Sequence, residues 1–161
     1  MILAHDLFAE ANPAFCTFLA IGFCKAYVSA SESPPALALL FLALPIALSE
    51  DMEPGFSATN AATGLLAWLN RYPDVRLELG NRLDASKPIV SSAVRFAIAS
   101  RALALIEDGT INLGSAAPAI SKTDNLPQSA KGAVRRAQRL GTWMGKAGSP
   151  ASVFSAFGVV P

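Results

Sequence analysis

The first 50 residues contain two apolar segments that are separated by a short polar break. The first segment follows Asn12-Pro13, a favourable helix start because Asn caps free amides and Pro fits the first helical position. Apolar residues at helical spacing then predict a helix that runs to about Ser29. A second helix is predicted from about Pro35 to Ser49. Because this helix is apolar on all sides, we expect neighbouring elements to cover it.

The middle of the chain alternates helical stretches with turn signals. Helices are predicted from about Thr59 to Asn70, from Asp74 to about Leu83, and onwards from Ser86-Lys87-Pro88. The period then changes, since residues 103–106 and 110–113 are β-prone runs on either side of Glu107-Asp108-Gly109. Two such runs around Asp-Gly predict a β-hairpin. A helix followed by a hairpin is also how a winged helix-turn-helix ends.

The last third is predicted to contain a loop and two helices. Residues 115–127 are rich in Ala, Ser, Pro and Asn, which is typical of a loop. A long helix from about Ser129 to Lys146 and a short helix from about Pro150 to Phe157 follow. The pattern therefore predicts a mainly α, compact multi-helix domain with one β-hairpin, and a winged-helix-like arrangement is one version of it.

The length predicts a single domain over residues 1–161. Its parts are an acidic apolar helical half, a segment of helices plus hairpin, a loop, and a basic amphipathic helix followed by a closing apolar helix. These parts cover residues 1–60, 61–114, 115–127 and 128–161.

The apolar composition raises the question of a membrane. Of the 161 residues, 52% are apolar and 16% charged, and the mean hydropathy is +0.40. The runs Ala14 to Cys24 and Ala36 to Leu48 are shorter than the roughly 20 residues of a spanning helix. Residues 1–10 lack the basic residues of a signal peptide. We therefore expect a cytoplasmic protein with buried helices, and a membrane-associated small protein is the alternative.

The residues that carry most enzyme chemistry are scarce in this sequence. Cys16 and Cys24 are interpreted as small buried hydrophobic residues, because they lack the spacing and partners of a metal site. His5 is the only histidine, and the acids do not form a ligand cluster. No glycine-rich phosphate loop with its lysine is present. The sequence predicts no enzyme activity, no cofactor, no metal and no small-molecule substrate.

The charges are unevenly distributed along the chain. Residues 1–60 contain one base and six acids, whereas residues 122–161 contain six bases and one acid. At about 100° per residue, four bases of the last long helix fall within an arc of roughly 80°, opposite Val134, Ala137, Leu140 and Met144. This cationic face is either a solvated surface or a contact for phosphates or an acidic partner.

Two sets of candidate functional residues follow from this pattern. The first set is predicted to contact double-stranded DNA or an acidic partner, and it comprises Lys131, Arg135, Arg136, Arg139 and Lys146. The second set lies either in the core or at a partner interface, and it comprises Trp143, Val153, Phe154 and Phe157.

Several short segments together resemble one protein family. They are Glu10-Ala11-Asn12-Pro13-Ala14-Phe15, Phe41-Leu42-Ala43-Leu44-Pro45-Ile46-Ala47-Leu48, Thr63 to Leu69 with Trp68-Leu69, and Arg139-Leu140-Gly141-Thr142-Trp143-Met144 followed by Val153-Phe154 and Gly158-Val159-Val160-Pro161. These segments resemble the middle component of prokaryotic three-component ABC systems. The resemblance covers nearly the whole chain.

The resemblance implies a role rather than a reaction. Such middle components are small accessory subunits encoded beside an SMC- or Rad50-like ABC ATPase, in systems associated with defence against phages and plasmids. The implied function is a non-enzymatic adaptor that links the ATPase to DNA or to an effector subunit. A stand-alone winged-helix DNA-binding protein is the first alternative, and the membrane-associated protein is the second.

Overall fold

The computed structural model describes residues 12–161, which form a mainly α fold with one antiparallel hairpin. The fold class predicted from the sequence is thereby confirmed. Within these residues the α-helices are α1 (Pro13–Ser31), α2 (Ala38–Ala47), α3 (Glu53–Ser57), α4 (Leu65–Arg71), α5 (Leu79–Ala99), α6 (Gln128–Lys146) and α7 (Pro150–Phe157). The strands are β1 (Leu103–Leu105) and β2 (Ile111–Leu113). Short 3₁₀ helices cover Glu50–Met52, Pro73–Arg76 and Ile120–Asn125.

Helix α1 begins at the predicted cap and runs through the core. The Asn12 side chain accepts hydrogen bonds from the amides of Ala14 and Phe15, at 3.0 and 3.3 Å. The helix packs against α2, α5 and, most extensively, α6. A Cβ atom added at Gly141 of α6 would overlap the carbonyl oxygen of Phe23 in α1. The two helices therefore approach so closely that only glycine fits at this contact.

Helix α1 is longer than its apolar run. Lys25 ends that run in the sequence, but it is an exposed residue inside a helix of 19 residues. By length and composition α1 could therefore cross a membrane, and the prediction that the N-terminal run falls short of spanning length is wrong for this helix. Half of the residues in the most apolar stretch of this helix are buried inside the fold. A buried core helix passes the same test of length and composition.

The hairpin forms where the sequence predicts it and is held by the segment that precedes α2. Leu103 pairs with Leu113, and Leu105 pairs with Ile111. Gly109 in the turn has a φ of +83°, which only glycine adopts readily. On its other side, the hairpin accepts a bond from the Leu37 amide to the Gly109 carbonyl, at 2.9 Å. The hairpin is thus joined to the N-terminal helices.

Two helices were predicted, from Asp74 to Leu83 and from Ser86 onwards. The structure instead has the 3₁₀ helix Pro73–Arg76 and one continuous helix that begins at Leu79. Helix α5 runs through Pro88, which removes one backbone hydrogen bond to the carbonyl of Asp84. Both residues are exposed, so water can reach the carbonyl that Pro88 leaves unpaired. The prediction was wrong because Lys87 and Pro88 are on the solvent side of a continuing helix and not at its start.

Two other boundaries also differ from the prediction. Helix α4 starts at Leu65 rather than Thr59, since Gly64 has a φ of +83° and the Asn60 amide donates to the Thr63 hydroxyl in a turn. The predicted loop 115–127 contains the 3₁₀ helix Ile120–Asn125. The remaining elements pack around one apolar cluster that includes residues from both halves of the chain.

Candidate interaction surface

Helix α6 has a broad buried face and a narrow cationic face. Lys131 is half-buried, whereas Arg135 and Lys146 are exposed. We call these three residues the basic stripe. No residue of the stripe is in an ion pair within the described part of the chain. Arg135 and Lys146 are 11 residues apart, or about 16 Å along the helix axis. Three of the five predicted contact residues are therefore arranged in a line.

Arg136 lies inside the fold, and its predicted role as a surface contact is corrected by this placement. The residue is 3% exposed. Its Nε donates to the Ala47 carbonyl at the end of α2, at 2.8 Å, and its Nη1 donates to Glu53 of α3, at 2.6 Å. On the helical wheel Arg136 is roughly 60° outside the arc of the other bases. This angle is the signal by which the sequence alone could have excluded it.

Arg139 belongs partly to each face of α6. Its Nη1 donates to the Phe56 carbonyl at 3.2 Å and is 3.4 Å from the Thr59 hydroxyl. The guanidinium carbon is 5.6 Å from the ring centroid of Trp143, a cation–π distance. Burial lowers the pKa of Arg139 below its ordinary value. The side chain is thus held against α3 and Trp143 rather than extended towards solvent.

The second predicted set lies in the core. Trp143, Val153, Phe154 and Phe157 are all buried. Trp143 stacks on Phe56 at a centroid distance of 5.7 Å and contacts Trp68 at 5.2 Å. Its Nε1 donates to the Asn60 carbonyl at 3.2 Å. The sequence allowed two roles for these residues, core packing or a partner interface. In the structure they pack in the core.

Two acids near the end of α2 pair with arginines from distant helices. Both Asp51 carboxylate oxygens accept from Arg82, at 3.0 and 3.1 Å, and the hydrogen bond from Arg82 lowers the pKa of Asp51. Burial alone would raise the pKa of Glu53, but hydrogen bonds from Arg136 and Ser57 bring it below its ordinary value. The sequence indicated only a turn here, because pairing across more than 30 residues leaves no local signal.

The thiols agree with their interpretation as small hydrophobic residues. Both Cys16 and Cys24 are buried, and burial raises the pKa of Cys24 to about 12. Within residues 12–161, no three or more His, Cys, Asp or Glu side chains form a group that could hold a metal ion. His5, the only histidine in the sequence, lies outside the described residues.

The family comparison extends over almost the whole chain. No curated protein and no solved structure matches it. A family model described as ABC-three component (ABC-3C) system Middle Component 3 matches residues 5–161. This span contains α1 to α7 and the hairpin, so the match covers the complete described fold rather than one motif. The chain belongs to the Middle Component 3 family of ABC-three component systems.

Proposed function

We propose that this chain is a non-enzymatic adaptor subunit that acts in the cytoplasm with an SMC- or Rad50-like ABC ATPase in defence against phages or plasmids. The adaptor links the ATPase to double-stranded DNA or to an effector subunit. The observation that carries the proposal is the match to a middle-component family over residues 5–161. A component that stands between others requires more than one contact surface.

The basic stripe is the surface proposed for DNA or for an acidic partner. Exposed lysine and arginine side chains attract phosphates, and those of the stripe form no ion pair with residues 12–161. The stripe follows one helix over about 22 Å from Lys131 to Lys146. The same cations would also fit an acidic protein surface, and the salt dependence of DNA binding separates the two.

The experiment measures binding to two candidates at several salt concentrations. The ATPase subunit encoded beside this gene is purified with the chain, and a fluorescent DNA duplex is titrated with the chain alone and with the complex. We expect a stable complex with the ATPase. If the stripe contacts DNA, affinity for the duplex falls steeply with salt, and Arg135→Glu with Lys146→Glu weakens it.

A matched control keeps the change in net charge the same. Lys87 and Arg95 are exposed bases on α5, away from the stripe in the sequence, and their double reversal should leave binding unchanged. Tight DNA binding by the chain alone, without any ATPase complex, would favour the stand-alone DNA-binding protein. A chain that binds neither component would contradict the adaptor.

A further inference from the structure

The contact between α1 and α6 is also the place where a third element joins them. A Cβ atom added at Gly22 of α1 would lie 3.2 Å from Cγ of Gln138 in α6 and 3.5 Å from Cδ1 of Ile120. Ile120 begins the 3₁₀ helix Ile120–Asn125, which packs against both long helices. The solvent side of this junction is therefore built from three segments that are distant in the sequence.

Helices α1 and α6 run side by side in the same direction. Gly141 of α6 packs on Phe23 of α1, and one turn later in both helices Gly145 packs on Tyr27. Because glycines lie between the two backbones, the helix axes are about 8 Å apart, at the lower end of the usual range. A side chain on the solvent side of one helix therefore lies next to the solvent side of the other.

Lys25 places a positive charge on the α1 half of this surface. It is the only Lys or Arg in residues 1–60, and it is exposed although the run that it interrupts is apolar. On the helical wheels of a parallel pair, Lys25 and Arg135 turn to the same side of the contact between α1 and α6. The lysine and the basic stripe thus face solvent together.

Lys122 adds a charge from the 3₁₀ helix, where it is exposed two positions after Ile120. Like the stripe, Lys25 and Lys122 form no ion pair with residues 12–161. Within α1, α6 and this 3₁₀ helix, Asp124 is the only acid. We call Lys25, Lys122 and the basic stripe together the basic platform. It carries five bases on three elements, so its net charge is clearly positive.

The platform lacks the side chains that anchor protein partners. The centre of a protein–protein interface is rich in large apolar and aromatic residues and poor in charged ones. The exposed large apolar side chains of the described chain are Leu66, Leu77, Phe96, Leu105, Ile106 and Val160. None of them belongs to α1, α6 or the 3₁₀ helix of the platform. Interfaces with DNA are polar and strongly positive, so the platform favours DNA over an acidic protein.

The shape of the platform restricts its contacts to the DNA backbone. A major groove is about 12 Å wide and admits a single helix, which is itself about 10 to 12 Å across. Helix α6 is flanked by α1 on one side and by α3 on the other, where Arg139 donates to Phe56. It is therefore too crowded to enter a groove, and its bases reach the phosphates at the groove edges. Such contacts position DNA but do not read its sequence.

We infer that the basic platform binds the phosphate backbone of double-stranded DNA without reading its sequence, and that Lys25 and Lys122 take part in this binding. The inference rests on the proposed function, in which the stripe contacts either DNA or an acidic partner. It commits the site to DNA and extends it to two elements outside α6. An adaptor with such a site holds any duplex, whatever its sequence.

The test is the salt dependence of binding to a fluorescent duplex, measured by anisotropy with the full chain alone and together with the ATPase. Each phosphate contact contributes about 0.9 to the slope of log affinity against log salt. Lys25→Gln and Lys122→Gln should each lower that slope by about 1 and weaken binding several-fold. Arg95→Gln is the matched control, because Arg95 is an exposed base on α5, outside the platform, and it should bind like wild type. Thermal unfolding checks that every variant keeps its fold.

Two further probes test the nature of the ligand. A second duplex of unrelated sequence should bind as tightly as the first, and polyglutamate, the probe for an acidic protein, should bind more weakly than either. Three results would each overturn the inference. They are wild-type slopes for both lysine variants, tighter binding of polyglutamate, and a preference of about tenfold or more for one duplex, the effect of a single specific base pair.

The remaining outcomes separate the inference from the proposed function. If the chain forms a complex with the ATPase and neither the chain nor the complex binds DNA, the platform is wrong and the adaptor stands. If the platform binds DNA as described but no complex with the ATPase forms, the adaptor is contradicted and the platform stands.

Discussion

Helices α1 and α6 have the same length, 19 residues each, and pack against one another, yet they have opposite sequence patterns. Helix α6 is amphipathic, and its pattern alone identifies the buried side. Helix α1 is apolar almost all round, and its pattern says only that something covers it. A polar face therefore carries orientational information that an apolar helix lacks. For α1, the neighbours that cover each side are determined by tertiary packing and not by its own sequence.

The contact between the two helices depends on glycine, and its disruption should have the largest effect. Gly141→Ala adds a Cβ atom that would overlap the Phe23 carbonyl. Because the Phe23 carbonyl is part of the backbone and cannot turn aside, the helices must separate, and we expect a loss of about 3 kcal/mol in the free energy of unfolding. Urea denaturation measures it. Gly80→Ala is the matched control, since no atom of the described residues lies near its Cβ position, and it should change the stability by less than about 0.5 kcal/mol.

If both variants unfolded at the same urea concentration, the close approach of α1 and α6 would be contradicted.

The side of α6 that faces α2 and α3 should show the next largest effect. Arg136→Met removes the donor to the Ala47 carbonyl and the pair with Glu53. We expect a loss of about 2 kcal/mol, because the carbonyl is left without that donor. Arg135→Met changes the adjacent, exposed residue in the same way and should alter the stability by less than about 0.5 kcal/mol. Equal losses at the two positions would mean that the two faces of α6 do not differ.

Acidification should have the smallest effect on the free energy of unfolding. This effect should come from the pair of Arg136 in α6 and Glu53 in α3. The folded-state pKa of Glu53 is lowered, so its stabilising contribution is present above the unfolded pKa of about 4.3 and is lost as pH falls through the folded value. The Glu53 side chain is 39% exposed, and solvent screening keeps the contribution small. Urea denaturation of wild type and Glu53→Gln between pH 6 and 3 measures it.

The variant should lose less stability on acidification than the wild type. Glu107→Gln removes an exposed carboxyl that is in no ion pair of the described chain, and its acid dependence should match that of the wild type.

Local signals predicted the elements well where a residue acts on its own neighbours. Asn12 caps α1, Gly109 turns the hairpin, and the bounds of α7 agree with the prediction. The prediction of a helix start near Pro88 was wrong. The helix continues through Pro88, because the Asp84 carbonyl that it leaves unpaired is open to water. The environment of a side chain was harder to predict. Arg136 and Arg135 are adjacent and chemically identical. The helical wheel separates them, but the acid and the carbonyl that pair with the buried Arg136 are more than 80 residues away.

The family resemblance was accessible because it depends on the order of apolar blocks along the whole chain, which the sequence shows directly. The pairs Arg82–Asp51 and Arg136–Glu53 left no such signal, because they join residues that are 31 and 83 positions apart.

Because α1 packs mainly against α6, it is synthesised well before its main neighbour. About 100 residues separate the end of α1 from the start of α6, and a ribosome adds roughly 5 to 20 residues per second. The nascent chain therefore carries its long apolar helix α1 without its main neighbour for on the order of ten seconds. During this interval a chaperone or a nearby membrane competes with the unfinished C-terminal half for the same apolar surface. Faster translation would shorten that competition, and truncation before α6 would make it permanent.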